Sequence, residues 1–269
     1  MNNLKTGIRH AIPRRMLPAA QLAYRKVRGR STDDVFSPAK YHALAALKCS
    51  IAYNVYGGYC VPESSRHRPA CKAILANDVW EPQTIELMRR SCGDGDIVHA
   101  GTFFGDFLPA LSAALKPGAK VWAFEPSREN YRCAKITSEL NGLGNVELVH
   151  AALGAQCMAA RVKTVDATGI PMGGSAQVGD DGDETVDVVT IDDVTDGRQV
   201  SIVQLDVEGY ERQALEGALR LIRRCRPMLI LETLKGSTLL ESQWFADSIL
   251  AHGYRQISSV HDNAVLSCG

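Results

Sequence analysis

From residue 94 onward the apolar positions keep a regular beat. Short runs dense in β-branched and aromatic residues, DIVHAG, KVWAF, NVELVHAAL, VSIVQLD and PMLILET, predict strands and alternate with stretches whose apolar residues recur every three or four positions. One such stretch runs through Phe104, Phe107, Leu108, Leu111 and Leu115 until Lys116-Pro117-Gly118 stops it. A second starts near Ser127, carries Tyr131, Ala134 and Leu140, and ends at Asn141-Gly142. A third stripe joins Tyr210, Ala214, Leu215, Ala218, Leu221 and Ile222, with Arg220, Arg223 and Arg224 crowding the end that favours cations. A last helix near 239 to 252 precedes YRQISSV and AVLSC, which predict a hairpin across His261-Asp262-Asn263. This alternation predicts an α/β fold, doubly wound, with a mostly parallel sheet covered on both faces and an antiparallel piece at its edge.

Two stretches fall outside the beat. The first 80 residues read as mainly helical and without alternation, which divides the chain into a basic arm and helical cap over 1–80 and a catalytic α/β domain over 81–269. Residues 155–185 hold Gly173, Gly174, Gly179 and Gly182 among acids and small side chains, and read as an insertion on the loop face, where substrate contacts are often made. Thirty basic against thirty acidic residues give no net charge, so nothing in the overall field attracts nucleic acid. The one local asymmetry is Met1 to Arg30, with eight Lys or Arg and no acid, readable either as a solvated arm or as a peripheral contact with acidic lipid. No stretch approaches the roughly 18 apolar residues of a spanning helix, and the expected location is the cytoplasm. Eight scattered cysteines without a CxxC pair suggest reduced thiols rather than bridges or zinc ligands.

The candidate chemistry gathers at strand ends. In IVHAGTFFGDF the turn after the first strand has two glycines spaced GxxxG, Gly101 and Gly105, with Phe103 and Phe104 where a dinucleotide pyrophosphate would need bare backbone. Asp106 follows; it is readable as a helix-terminal acid, but it also repels phosphate. S-Adenosylmethionine, a cation with no phosphate, suits such a turn. Glu125 closes the second strand 20 residues after Gly105, where a carboxylate can accept ribose hydroxyls. Ala151 and Ala152 read either as a flat wall for adenine or as core residues. Asp206 and Glu208 crowd two acids at the tip of VSIVQLD, an arrangement that repels unless a ligand, cation or hydrogen bond holds it; Glu208 is also readable as a cap of the next helix.

The set WEPQTIELM, GDIVHAGTFFGDF, AFEPSRENY, NGLGNVELVHAALG, VTIDDV, VQLDVEGYERQALEGA and LILE, over roughly residues 80 to 235, resembles the FkbM family of S-adenosylmethionine-dependent methyltransferases. The resemblance implies a class I methyltransferase fold with a Rossmann-like seven-stranded sheet, and methyl transfer to a hydroxyl oxygen of a sugar or a secondary metabolite. It implies cofactor contacts at His99, Gly101, Thr102, Phe103, Gly105, Asp106, Glu125, Pro126, Ala151, Ala152 and Asp206. Two positions depart from the family pattern: His99 stands where the family has an acid near the cofactor's amino group, and Gln204 where it has a Lys near the substrate pocket.

Asp206, Glu208 and Glu232 are the expected catalytic residues. A carboxylate serves as base toward an alcohol if burial raises its pKa. Alternatively Asp206 and Glu232, closing neighbouring strands, give two hard oxygen ligands for magnesium. His150 reads as a strand residue beside the adenine loop, and His261 as a more remote candidate at the hairpin tip. The expected acceptor is a hydroxyl of a carbohydrate, glycan or glycolipid, with a secondary metabolite as the alternative, and a homo-oligomer is compatible with the sequence. Three rivals stay open: a nucleic-acid methyltransferase, disfavoured by neutral charge and by the absence of the Pro-Pro-aromatic and Pro-Cys strings; a nucleotide-binding oxidoreductase; and a non-catalytic binding module.

Overall fold

The computed structural model describes residues 46–269. Its frame is a seven-stranded sheet. In chain order the strands are β3 (Asp96–Ala100), β4 (Val121–Phe124), β5 (Val146–Val149), β10 (Val200–Leu205), β11 (Met228–Glu232), β12 (Tyr254–Val260) and β13 (Asn263–Cys268), placed side by side as β12-β13-β11-β10-β3-β4-β5. The five strands from β5 to β11 are parallel, and β13 runs antiparallel between β11 and β12. Strand order reverses between β3 and β10, so the crevice beyond their carboxyl ends is where a ligand belongs in this topology.

Alternation along the strands sends side chains to two cores. Val98, Trp122, Val203 and Leu229 meet α6 (Glu211–Glu216), α7 (Leu219–Cys225) and α8 (Gln243–Ser248) on one face. Ile97, Val121, Ile202 and Ile230 meet α2 (Pro82–Ser91) and α3 (Leu108–Ala114) on the other. Helix α4 (Arg128–Leu140) joins β4 to β5 and α5 (Ile191–Val194) leads toward β10. The predicted hairpin and the helix beginning after Ser127 form as read.

Several expectations are corrected. Residues 46–80 are not mainly helical: β1 (Cys49–Asn54) and β2 (Gly57–Pro62) form a hairpin, followed by a 3-10 turn (Glu63–Ser65) and the short helix α1 (Pro69–Leu75). The hairpin is held by α4, whose Thr137 Oγ1 accepts the Cys60 N–H at 3.0 Å and whose Asn141 side chain both accepts from and donates to the backbone of Gly58. These partners lie over 75 residues downstream, which is why local periodicity missed them. The basic arm lies outside the described residues.

The run NVELVHAAL is divided: β5 ends at Val149, and Ala152–Leu153 form β6 in a different sheet. That sheet, ordered β6-β9-β7-β8, adds β7 (Met158–Lys163), β8 (Gln177–Val178) and β9 (Glu184–Val189), so the supposed loop insertion is anchored by strands rather than being loop throughout. Helix α3 begins at Leu108 rather than Phe104, and the stripe from Tyr210 to Ile222 is two helices. The break falls at Gly217, the C-terminal cap of the first, where a Cβ would collide with the Gly154 carbonyl.

Candidate active site

The turn after β3 shows why two phenylalanines fit it. Phe104 is fully buried in the core formed with the hairpin, beside Tyr59 and Cys133. Phe103 packs in the same cluster, its ring edge-on to Phe104 at 4.7 Å between centroids and against Gly173 and Gly174 of the insertion. The backbone at Phe103 is left-handed (φ 50°), an uncommon conformation of the kind that clusters at functional sites. Glu125 holds it there: one carboxylate oxygen accepts the Phe103 N–H at 2.8 Å, and the other accepts from Ser127 N–H at 2.9 Å and Asn130 Nδ2 at 3.3 Å. Gly101 is obligatory for a separate reason. Its φ is 84°, and any Cβ would strike the Asp206 carbonyl, so the tips of β3 and β10 approach this closely only with glycine there.

Two cavities meet at Gly101, Asp206 and Gly174. The first is a narrow apolar slot between Phe124, Glu125, Pro126, Ala151 and Ala152 on the sheet side and Ala176 and Val178 of the insertion. The second, about 210 Å³, is bordered by His99, Phe103, Asp106, Gln204 and Asp206, by Glu208 and Glu232, and by Arg68, Glu81 and Asn263, which sequence reading did not single out. Of the residues expected at the cofactor, Thr102 and Gly105 stay behind the wall. Thr102 is fully buried, and Gly105 (φ 87°) sits against Ala134 and Thr137 of α4. His150 stacks on Tyr131 and reaches the Pro126 carbonyl, outside both cavities; His261 is spent on Gln83 at 2.8 Å.

The larger cavity is lined by six carboxyl groups, Glu81, Asp106, Asp206, Glu208, Glu232 and Asp262, against one guanidinium, Arg68. Burial dominates the titration of Asp106, Asp206, Glu208 and Glu232, and of Glu125 in the adjoining slot. It pushes Asp106 up to about 7 and Glu125 up to about 8. At the floor burial, then the neighbouring carboxylate, holds Asp206 well above the usual range, and burial raises Glu232 to about 7. Asp206, Glu208 and Glu232 each bring one oxygen to within 4.8 Å of the others. Glu208, left-handed at φ 54°, does not cap the helix that follows. Glu211 takes the Val207 and Gly209 N–H groups instead, while Glu208 bonds to Ser175 of the insertion.

His99 and Gln204, the two departures from the family pattern, turn out to be one pair. They sit in register on β3 and β10, and Nδ1 of the imidazole is 2.5 Å from Gln204 Oε1. Since that oxygen only accepts, Nδ1 carries the proton; burial depresses the imidazole pKa to about 4 and keeps the ring neutral. Phe107 stacks flat on it at 5.3 Å. Nε2 is then a bare acceptor, buried with no partner. Six buried side-chain polar atoms lack partners among the described residues, and four of them, on Arg68, His99, Glu232 and Asn263, belong to residues bordering this one cavity. Orphaned buried groups are rare enough that four around one space mark it as built for a ligand.

The profile of the Methyltransferase FkbM domain matches residues 91–255. Among solved structures, methyltransferase FkbM from Methylobacillus flagellatus is similar at 22% identity and TM-score 0.45, over 64% of this chain and 43% of that one, so this chain spans less than half of that relative. A SAM dependent methyltransferase from Aquifex aeolicus is similar at 16% identity and TM-score 0.39, over 71% of this chain and 91% of that one. Precorrin-6y C5,15-methyltransferase from Geobacter metallireducens is similar at 12% identity and TM-score 0.39, over 68% and 86%. No curated protein matches.

Proposed function

From the chain's place in the FkbM methyltransferase family, to which it belongs, we propose that it is an S-adenosylmethionine-dependent O-methyltransferase whose acceptor is a hydroxyl of a carbohydrate, glycan or glycolipid. The observation that carries this reading is the cavity at the strand-order reversal, with its six carboxyl groups, its orphaned acceptors and a floor hostile to diphosphate.

The residues present fit the cofactor. Its sulfonium supplies an electrophilic methyl group when bound. Three orphaned atoms, His99 Nε2, Glu232 Oε2 and Asn263 Oδ1, offer acceptors that suit a cation-bearing ligand. Gly101 leaves the backbone bare at the meeting of the two cavities, and Pro126, Ala151 and Ala152 make a flat apolar wall for a purine beside Glu125. Ala176 and Val178 narrow that slot, so admitting a purine requires the small sheet to draw back.

Toward the acceptor, the chain's contribution is position and a base. Orientation of a nucleophile is worth up to about 7–11 kcal/mol in favourable cases. Asp206 and Glu232 sit close enough to share a proton, and their raised pKa values bring one of them nearer to what an alcohol requires of its base. Together with Glu208 they are also a hard-oxygen donor set of the kind magnesium takes, the second way of lowering the pKa of a hydroxyl. Transfer of labelled methyl from S-adenosylmethionine to a glycan panel, before and after chelator dialysis, tests both parts. Methylated glycan supports the acceptor class, and a panel left entirely unlabelled counts against it. Loss on dialysis with recovery in magnesium supports the metal; unchanged transfer leaves the carboxyl pair as base.

A further inference from the structure

The floor of the cavity is made by strand tips; its roof is made by the two parts of the chain outside the seven-stranded sheet. Arg68 belongs to the roof. It is the residue before α1, held extended (φ −71°, ψ 145°) with Pro69 opening the helix, and its N–H donates to the Ser65 carbonyl at 2.9 Å. Its stem lies against the insertion, where a Cβ built on Gly173 would come 3.1 Å from Arg68 Cγ. Its Nε is buried and unpartnered, and none of the six acids around the cavity is within ion-pair distance of it. Two carboxylates feel its charge, Glu208, which Ser175 engages, and Asp166 of the insertion, which Thr168 engages.

A guanidinium with a desolvated N–H costs stability unless an acceptor meets it, and its planar fork matches a carboxylate. We propose that Arg68 receives the carboxylate of the methyl acceptor, so that the substrate is a hydroxyl compound that also carries a carboxylate, as a sugar acid does. The inference rests on the O-methyltransferase reading and narrows it. Arg68 faces the acceptor rather than the cofactor because it borders the larger cavity and not the purine slot framed by Ala151 and Ala152. A carboxylate is favoured over a phosphate because one guanidinium balances one negative charge, and the second charge of a phosphate dianion would face Asp206 and Glu208.

Nuclear magnetic resonance of the full chain tests this with small probes, both with and without S-adenosylhomocysteine. Trifluoroacetate should show fluorine line broadening that saturates, trifluoroacetamide should not, and Arg68→Gln should weaken the effect ~10-fold while Arg68→Lys keeps part of it. S-Adenosylhomocysteine affinity and melting temperature should be unchanged in Arg68→Gln. Equal broadening in Arg68→Gln overturns the proposal, as does Arg68-dependent phosphorus broadening by inorganic phosphate at lower concentration than trifluoroacetate. Weaker S-adenosylhomocysteine binding in Arg68→Gln would assign the residue to the cofactor and also overturn it. If the unaltered chain binds no S-adenosylhomocysteine, the cofactor reading fails, whereas trifluoroacetate binding measured without it still decides the role of Arg68.

Discussion

The floor and the roof of the cavity are built on different principles. The floor belongs to β3, β10 and β11, whose central residues are fully buried and bonded on both sides, so His99, Gln204, Asp206 and Glu232 are placed by the sheet itself. The roof rests on a hairpin tied down by Thr137 and Asn141 and on a small sheet whose β7 buries only Val162 fully. A rigid floor can hold unfavourable chemistry, such as crowded carboxyls and a bare imidazole nitrogen. The small sheet of the roof, sparsely buried, is suited to opening, since local stability follows apolar burial, whereas the hairpin, with Tyr59, Cys60 and Val61 fully buried, is part of the packed body.

The largest expected effect breaks the floor. Gly101→Ala puts a Cβ into the Asp206 carbonyl at a positive φ, and should cost about 3 kcal/mol or more, read as a shifted denaturation midpoint. Next is Glu125→Ala. It removes the acceptor of the Phe103, Ser127 and Asn130 groups, so it should lose roughly 2 kcal/mol of stability along with cofactor affinity measured by calorimetry. Undiminished affinity would remove Glu125 from the ribose contact.

A smaller effect concerns pH. A carboxyl whose pKa is raised on folding stabilises the protein below its unfolded value near 4, and that contribution is lost as pH rises through the folded value. Stability of the ligand-free protein should therefore fall from about pH 4 up to about pH 8 and level off above it, once Asp106 (about 7) and Glu125 (about 8) have ionised in the folded state. In Asp106→Asn roughly 1 kcal/mol per pH unit of that slope should vanish from the melting curves between about pH 4 and 7. The smallest effect is on the roof. Gly174→Ala meets the Phe103 ring at 3.3 Å, a contact that a slight shift relieves, and should change stability by less than about 0.5 kcal/mol. Acceptor KM should rise while cofactor affinity holds; equal change in both would mean that floor and roof act as one.

What the sequence revealed follows the same division. The strands of the floor are continuous apolar runs, and their polar tips, Asp206 and Glu232, stand out because local pattern alone marks where a buried strand ends. The positions of Gly101, Asp106 and Glu125 were readable for the same reason. The roof was not, since Arg68 approaches Gly173 across more than a hundred residues with no local signal. One signal was there to be used: Val186 and Val188 alternate with Asp187 in β9, a half-buried strand that begins at the end of the stretch taken as loop. Glu81 lay within the WEPQTIELM segment that carried the resemblance, yet its place at the cavity depends on a left-handed backbone (φ 45°) that composition does not disclose. The pairing of His99 with Gln204 needed strand register, which follows only from the sheet order.

The central claim is that this crevice accepts a phosphate-free cation because its floor is carboxylate and its free acceptors point inward. Parallel calorimetric titrations of the full chain with S-adenosylmethionine and with NAD at neutral pH test it most directly. Saturable heat with S-adenosylmethionine and none with NAD is the predicted result; NAD binding of equal or greater strength would contradict the account.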